Sequence, residues 1–412
     1  MRYNMVPNYK KTLYASYLGY ITQAIVINLA PLFFVIFQTE YGITYTQIGS
    51  LVLFTFAIQM IVDILMLKIL PRTGYRASAV AAHVFSVIGL VLLGILPNAM
   101  DAYTGILIAV FFYSIGGGLT EVIISPIVDS LPGDAKASGM SLLHSFYSWG
   151  QMLVVLLSTL LLKLVGDSLW TLIPFVWALI PLYNTFNFIK APLIPIPAEQ
   201  KNRSAIGFLK SPVFILSFLL MICSGASEQA MAQWASLFAE QGLGVSKVFG
   251  DLLGPCLFAV FMGIGRTFYG IRGEKINLEG ALFGCAGLSV VCYLVTIFVN
   301  IPIIALFGCA VCGLGVSLMW PGMLSYTSYK YNYRAGPVMF GLLALGGDIG
   351  CSAGPWVTGK VSDMYLAFTQ TGTAENLSNQ AIKTGLLAAI VFPYAMLVLL
   401  LIMKKLKNTE IT

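Results

Sequence analysis

Glu40-Tyr-Gly-Ile-Thr-Tyr-Thr-Gln47 closes one membrane-length apolar segment and opens the next, and Glu240-Gln-Gly-Leu-Gly-Val-Ser-Lys247 does the same 200 residues later. Two halves of the chain therefore carry the same punctuation at the same place among their apolar segments. Duplicated halves of six spans enclose a cavity between the repeats, near the bilayer midplane.

Composition agrees with that pattern. Hydrophobic residues make up 58% of the 412 and charged ones 10%, far from the mix of a water-soluble domain. Crossing the hydrocarbon core takes about 20 apolar residues as a helix. Twelve stretches meet that length: 12–37, 46–67, 77–96, 103–130, 138–162, 170–189, 212–238, 247–269, 279–299, 302–328, 337–360 and 381–403. The expected fold is an all-α membrane protein of twelve transmembrane helices in two pseudo-symmetric six-helix bundles. With the N-terminus inside, 18 of the 23 Lys and Arg fall in cytoplasmic segments, while the outer loops hold Lys163, Lys247, Lys360 and Lys383. This positive-inside bias supports an even span count with both termini cytoplasmic, in a cell membrane such as the bacterial inner membrane. The net charge of +6 then reads as topology and headgroup attraction. No basic stripe with interleaved aromatics points to nucleic acid.

No short apolar stretch with a small-residue cleavage site opens the sequence, so the first span is expected to act as its own insertion signal. All seven Cys lie in apolar spans of the C-terminal half, which argues against a disulfide framework. Cys309-x-x-Cys312 has the spacing of a redox or zinc pair but no further Cys or His nearby, so packing is the favoured reading. His83 and His144 are too separated for a metal site. The pattern calls for no cofactor and no protein partner, only a small solute, protons and the lipid bilayer.

Lys190 to Ser211 is the longest interior polar stretch, with Pro192, Pro195 and Pro197 followed by Glu199-Gln-Lys-Asn-Arg-Ser204. It reads as a linker, dividing the chain into an N-terminal bundle (1–189), a cytoplasmic linker (190–211) and a C-terminal bundle (212–412). A second long connection, Ser362 to Ala381, is expected to be a surface excursion. The repeat extends further: Gly118 and Pro126 in span 4 match Gly315 and Pro321 in span 10, and Gly150-Gln151 in span 5 matches Gly347-Asp348 in span 11. By the constant offset, Asn28 corresponds to Glu228. Polar side chains recur at matched depths in both halves.

An ionisable group deep in a membrane helix costs roughly 2.5–3.5 kcal/mol on insertion scales, so it persists where function or pairing offsets that. Asp63, Glu121, Glu228 and Asp348 qualify, and the last three are candidates for proton coupling. Glu121 follows three glycines, Gly116 to Gly118, which allow close approach of a helix or solute, and precedes Pro126, which removes a backbone donor. The bland alternative is a protonated Glu bonded to a neighbouring helix. In span 5, His144, Tyr147, Ser148 and Gln151 share one face and suit a polyhydroxylated ligand as well as interhelical bonding. Gln229, Gln233 and Trp234 in span 7, Trp320 in span 10, and Gln23 and Asn28 in span 1 complete the candidate solute site, although packing is the commoner fate of any one Trp. Trp149 is a further stacking candidate.

A second group of charges reads as gating. Gly270-Ile-Arg-Gly-Glu274-Lys275 has the form G-x-x-x-[D/E]-[R/K], with Arg266 one turn earlier. The first-half counterpart keeps Arg72 and Arg76 but loses the acid. Asp63 and Asp129, taken as lying at the inner ends of spans 2 and 4, are candidate partners. Ordinary positive-inside decoration is the alternative.

Together these features resemble the major facilitator superfamily, over essentially the whole chain. Within it, Gly118-Leu-Thr-Glu121-Val-Ile-Ile-Ser-Pro126 and Leu142-Leu-His144-Ser-Phe-Tyr147-Ser-Trp-Gly150 are similar to helices 4 and 5 of the fucose–proton symporter family. Ser125 stands where that family has Asn, His144 and Tyr147 where it has Gln and Asn, and its helix 1 acid is missing here. The resemblance implies sugar uptake coupled to protons, with Glu121 protonatable and in contact with substrate. The departures leave uniport open. A second reading is proton-driven efflux of amphipathic compounds. A third, a membrane sensor or enzyme, lacks a nucleophile–base pair, a metal cluster or an appended domain to support it.

Overall fold

In the computed structural model, residues 9–43, 45–131, 136–196, 207–208, 210–331, 336–369 and 374–406 are described. Among them the secondary structure is helical throughout, with no strand. Among the described residues eleven helices are long and apolar enough to cross a membrane, and one of them, Gln47–Ala99, has 53 residues. At 1.5 Å per residue that helix would be about 80 Å long, more than twice the ~30 Å of hydrocarbon. It breaks at Gly74, whose φ of 75° and ψ of 171° are non-helical. Splitting it there gives twelve spans.

In chain order these are α1 (Lys10–Tyr41), α2 (45–73) and α3 (75–99), α4 (Ala102–Ser130), α5 (Lys136–Val165) and α6 (Ile173–Lys190). The second set is α7 (Pro212–Leu237), α8 (Lys247–Arg272), α9 (Leu278–Phe298), α10 (Pro302–Lys330), α11 (Gly336–Phe368) and α12 (Asn379–Lys405). An even number of crossings puts both chain ends on one face, called the terminal face below. The expected surface excursion from Ser362 to Ala381 is mostly helix, because α11 runs on to Phe368 and helix resumes at Ala374. Sequence hydropathy ends where polar Ser, Asp and Asn begin, whereas the backbone keeps its helical bonds beyond the apolar zone.

Local chemistry explains the interruptions. Pro31 turns α1 into a 3-10 segment at Ala30–Phe33, and Pro255 sits in a π-turn within α8. Gly42 and Gly244 both adopt φ of 66°, the left-handed region that only Gly enters freely. These two residues make the duplicated turns between spans 1 and 2 and between spans 7 and 8. Asp101 caps α4 by accepting from Thr104 N (3.0 Å) and Thr104 Oγ1 (2.7 Å). Those two donors hold its carboxyl below the usual carboxylate range.

The halves meet mainly through two helix pairs, α2 with α11 and α5 with α8, with smaller contacts of α10 with α5 and of α11 with α4. Within each half, glycines let helices cross at backbone distance. A Cβ on Gly150 of α5 would stand 3.0 Å from Ile21 Cα of α1, and one on Gly350 of α11 would collide with the Ile222 carbonyl of α7. The N-terminal half is further tied by Asn184, which donates to the Ala15 carbonyl (2.9 Å) and bonds His83 Nε2 (2.8 Å). The α7–α11 crossing is therefore sensitive to side-chain size. Gly350→Val is expected to lower stability by about 1–3 kcal/mol, the usual cost of overpacking, read as a lower unfolding midpoint of the purified protein. An unchanged midpoint would show that the crossing relaxes without cost.

Candidate functional site

Between the halves lies a chamber lined by both. α1 contributes Tyr20, Gln23 and Ile27, α2 contributes Phe56, α4 contributes Glu121, and α5 contributes His144 and Tyr147. From the other half come Glu228 and Gln229 on α7, Arg266 on α8, Trp320 on α10, and Asp348 and Cys351 on α11. Its volume is about 50 Å³, room for a few waters but well below the ~300 Å³ at which ligand pockets usually begin. Admitting a solute much larger than a few waters requires the halves to part.

The polar groups form two connected sets. Glu121 Oε2 accepts from Gln23 Nε2 at 3.2 Å, so a carboxylate of α4 and an amide of α1 face the chamber together. Next to them, the Tyr20 hydroxyl contacts Ser125 Oγ at 2.8 Å and His144 Nε2 at 3.1 Å. Ser125, the residue standing before Pro126, thus enters the network that positions His144.

The second set centres on Arg266. Its Nη2 donates to Glu228 Oε2 at 3.0 Å, its Nη1 to Ser148 Oγ at 3.0 Å and the His144 carbonyl at 3.3 Å, and its Nε to the Ser317 carbonyl at 2.9 Å. The guanidinium carbon also lies 5.8 Å from the centroid of the Tyr147 ring, within cation–π range. Tyr147 is positioned in turn by Asn28 Nδ2, which donates to its hydroxyl at 3.3 Å and to the Ala24 carbonyl at 2.9 Å.

Several residues stand elsewhere than their sequence context implied. Arg266 is not at a gate on the terminal face; it is 2% exposed and forms a buried ion pair. Asp63 is not at the end of α2 either, but 1% exposed and some ten residues inside the helix. Arg76 caps α6: its guanidinium donates to the carbonyls of Phe188, Ile189 and Ala191, where a cation meets the helix C-terminus. Arg72 and Lys275 are exposed and belong to none of the ion pairs among the described residues. Glu274 falls in a 3-10 turn, Gly273–Lys275, and its side chain lies outside the described ones. Asp129 does sit at the terminal-face end of α4 and within electrostatic reach of Tyr75.

Trp234 is outside the chamber. Its Nε1 donates to the Pro355 carbonyl at 3.2 Å, and it lines a separate cavity of about 240 Å³ at the far face, with Gly49, Ser50, Leu53 and Trp356. Gln233 donates to Gln229 Oε1 at 3.0 Å but lines small side pockets rather than the chamber. Asn28 lies with it there. Gln151 is buried beyond the chamber lining. Trp149 packs on Gly263 and donates to Thr267 Oγ1 at 3.2 Å, so it joins α5 to α8. Sequence reasoning missed Tyr20, Ile27, Phe56 and Cys351 of the chamber lining. Tyr20 lies one turn from Gln23, a spacing that places both on one helix face, and that was the available signal.

At the far face another acid bridges the halves. Asp251 on α8 is fully buried. It accepts from Thr159 of α5 at 3.3 Å and from Ser236 of α7, and pairs with Lys247 at 3.5 Å. Cys309 and Cys312 are buried free thiols, and no group of three or more metal-ligating side chains occurs among the described residues.

Comparison with known proteins agrees with this architecture. No curated protein matches the sequence. Two crystal structures of the fucose:proton symporter, one recorded as that of E. coli, superpose with TM-scores of 0.67 and 0.65 at 16% and 18% identity. They cover 94% and 93% of this chain and 99% and 98% of those chains. A bacterial homologue of the human lysosomal transporter Spinster, inward-facing and occupied, gives 0.73 at 14% identity over 97% of this chain and 98% of that one. At such identities the likeness is one of fold. The sequence itself matches the Major Facilitator Superfamily over residues 16–355, and this multi-pass membrane protein belongs to that superfamily of transporters.

Proposed function

We propose that this transporter carries a sugar or similar small polar solute together with protons, by alternating access, into the cell. The observation that carries the reading is the position of Glu121. Its carboxylate faces the chamber between the halves, beside Gln23, Tyr20 and His144, rather than lipid. A carboxylate there can exchange a proton and reach a bound solute in one state of the cycle. Hydroxyl, amide and imidazole groups from α1, α5 and α7 suit a polyhydroxylated ligand, and Trp320 offers a ring face. Similarity to the fucose:proton symporter in fold supports the same assignment without fixing the sugar.

The cycle then has a simple physical form. With the terminal face read as cytoplasmic, solute and proton enter from the far face and the halves close around them. Neutral Glu121 lowers the cost of passing through the closed state. One proton moving down a 100 mV potential supplies about 2.3 kcal/mol, in addition to any pH gradient. Release on the terminal face requires the α5–α8 contacts to separate, including Ser141 Oγ to the Arg266 carbonyl at 2.7 Å.

Efflux of amphipathic compounds is the competing reading, favoured by the 240 Å³ far-face cavity with its two Trp residues. A thermal-shift screen of sugars against lipophilic cations separates the two, because a ligand that binds only the folded state raises stability. Stabilisation by lipophilic cations alone would select efflux.

Glu121→Gln in proteoliposomes is expected to abolish pH-driven accumulation while leaving solute exchange between pools. Full pH-dependent accumulation in that variant would end the assignment. A second expectation concerns the ion pair. Arg266→Met leaves Glu228 buried without its cation and should cost about 3–5 kcal/mol, whereas Glu228→Gln/Arg266→Met should recover much of that. Chemical unfolding of both variants measures the difference, and equal losses would show that the Ser148, His144 and Ser317 contacts matter more than the charge.

A further inference from the structure

Two carboxyl groups at the seam between the halves have no hydrogen-bond partner. Asp63 on α2 and Asp348 on α11 are each 1% exposed, and among the described residues none of their four oxygens finds a donor. Packing of α2 against α11 brings the two acids within electrostatic range of each other and of Glu121. One turn from Asp63, Gln59 is fully buried and its amide oxygen and nitrogen are also unpartnered. That nitrogen would stand 2.5 Å from a Cβ placed on Gly117, and Gln23 Oε1 3.2 Å from the same point. The cluster is therefore continuous with the Gln23–Glu121 bond.

An ionised carboxylate deprived of water, donors and cations is among the costliest groups a fold can bury, and two within electrostatic reach of each other add mutual repulsion. Neither aspartate belongs to an ion pair among the described residues. Asp348 shares the chamber with Glu121 on α4, Glu228 on α7, Cys351 on α11, Tyr20 on α1, and His144 and Tyr147 on α5, and Glu121 is also within electrostatic reach of Asp63. Arg266 on α8 is already engaged by Glu228, Ser148 and two carbonyls, and Lys383 on α12 donates to Asn300. A proton on each aspartate removes both costs at once.

We propose that Asp63 and Asp348 form a second proton-binding site, a neutral carboxyl pair that holds the α2–α11 seam closed. The seam is tight toward the terminal face, where Gly341 packs on Leu67. Toward the far face it widens into the cavity between Ser50 and Leu53 of α2 and Pro355 and Trp356 of α11. Asp348 itself lines the chamber between the halves, so protons reach the pair from there. Their loss sets two like charges against each other across the seam and drives the helices apart. The pair adjoins Glu121, with which Asp348 shares the chamber, but its carboxyls are different groups and the inference does not depend on the assignment made for Glu121.

Infrared titration of the purified full-length protein carrying isotope-labelled aspartate tests the pair directly. The expected result is a protonated-carboxyl stretch at neutral pH that shifts with the aspartate label, weakens in Asp63→Asn and in Asp348→Asn, and vanishes in the double variant. Aspartate that is wholly ionised at neutral pH would overturn the proposal, and this wild-type measurement does not rely on any variant folding. Isotope-labelled glutamate reports Glu121 separately, so failure of either site is recognised by itself. Thermal unfolding in sodium chloride against choline chloride supplies a second readout. Equal stability supports a proton site, while stabilisation by sodium that is lost in the double variant would reassign the pair as a metal-ion site and overturn it.

Discussion

A buried guanidinium lies inside this membrane protein, and the chamber is arranged to satisfy it. Taking the Arg266 side chain out of water obliges the fold to supply an acid and several oxygens at fixed positions. Glu228 on α7, Ser148 and the His144 carbonyl on α5, and the Ser317 carbonyl on α10 meet that demand. Four helices from both halves are thereby held at one level. Small residues make the approach possible: Gly265 lies against Ser317, and Gly263 against the Trp149 ring. A side chain at either position would push α8 away and leave the charge without its partners.

Around that anchor, identical chemistry is placed in different settings. Glu228 is paired with a cation, Glu121 has one amide donor and chamber access, and Asp63 and Asp348 have neither donor nor cation. Environment rather than residue type assigns the roles, because the cost of ionising a carboxyl depends on what surrounds it. Paired Glu228 is suited to holding structure, and the less compensated acids to exchanging protons. Asp251 repeats the structural use at the far face, where Thr159, Ser236 and Lys247 surround it.

Much of the fold was legible because membrane insertion imposes a length and a polarity that a sequence displays openly. Twelve apolar runs became twelve spans, and the duplicated turns carry Gly42 and Gly244 in the same left-handed conformation. Depth was less legible. Arg266, one turn before a polar loop, has the sequence context of a helix end, and Asp63 has that of either a deep acid or a helix end, yet packing draws both into the interior. Arg76 has the sequence context of a gate, but the end of α6 lies within its reach and takes its donors. Trp234 belongs to the polar run of α7, but its ring turns toward Pro355 rather than the chamber.

The sequence by itself determined that the chain crosses a membrane repeatedly, that it is built twice, and that a few acids lie deep within its spans. Those properties follow from apolar length and from the order of residues along single helices. Only the tertiary structure decided which acid meets Arg266, which faces the chamber, and which two meet across the seam. Partners separated by tens to hundreds of positions are chosen by how helices cross. Those crossings are set by contacts such as Gly350 on Ile222 and Gly117 beside Gln59, which no periodicity along one helix records.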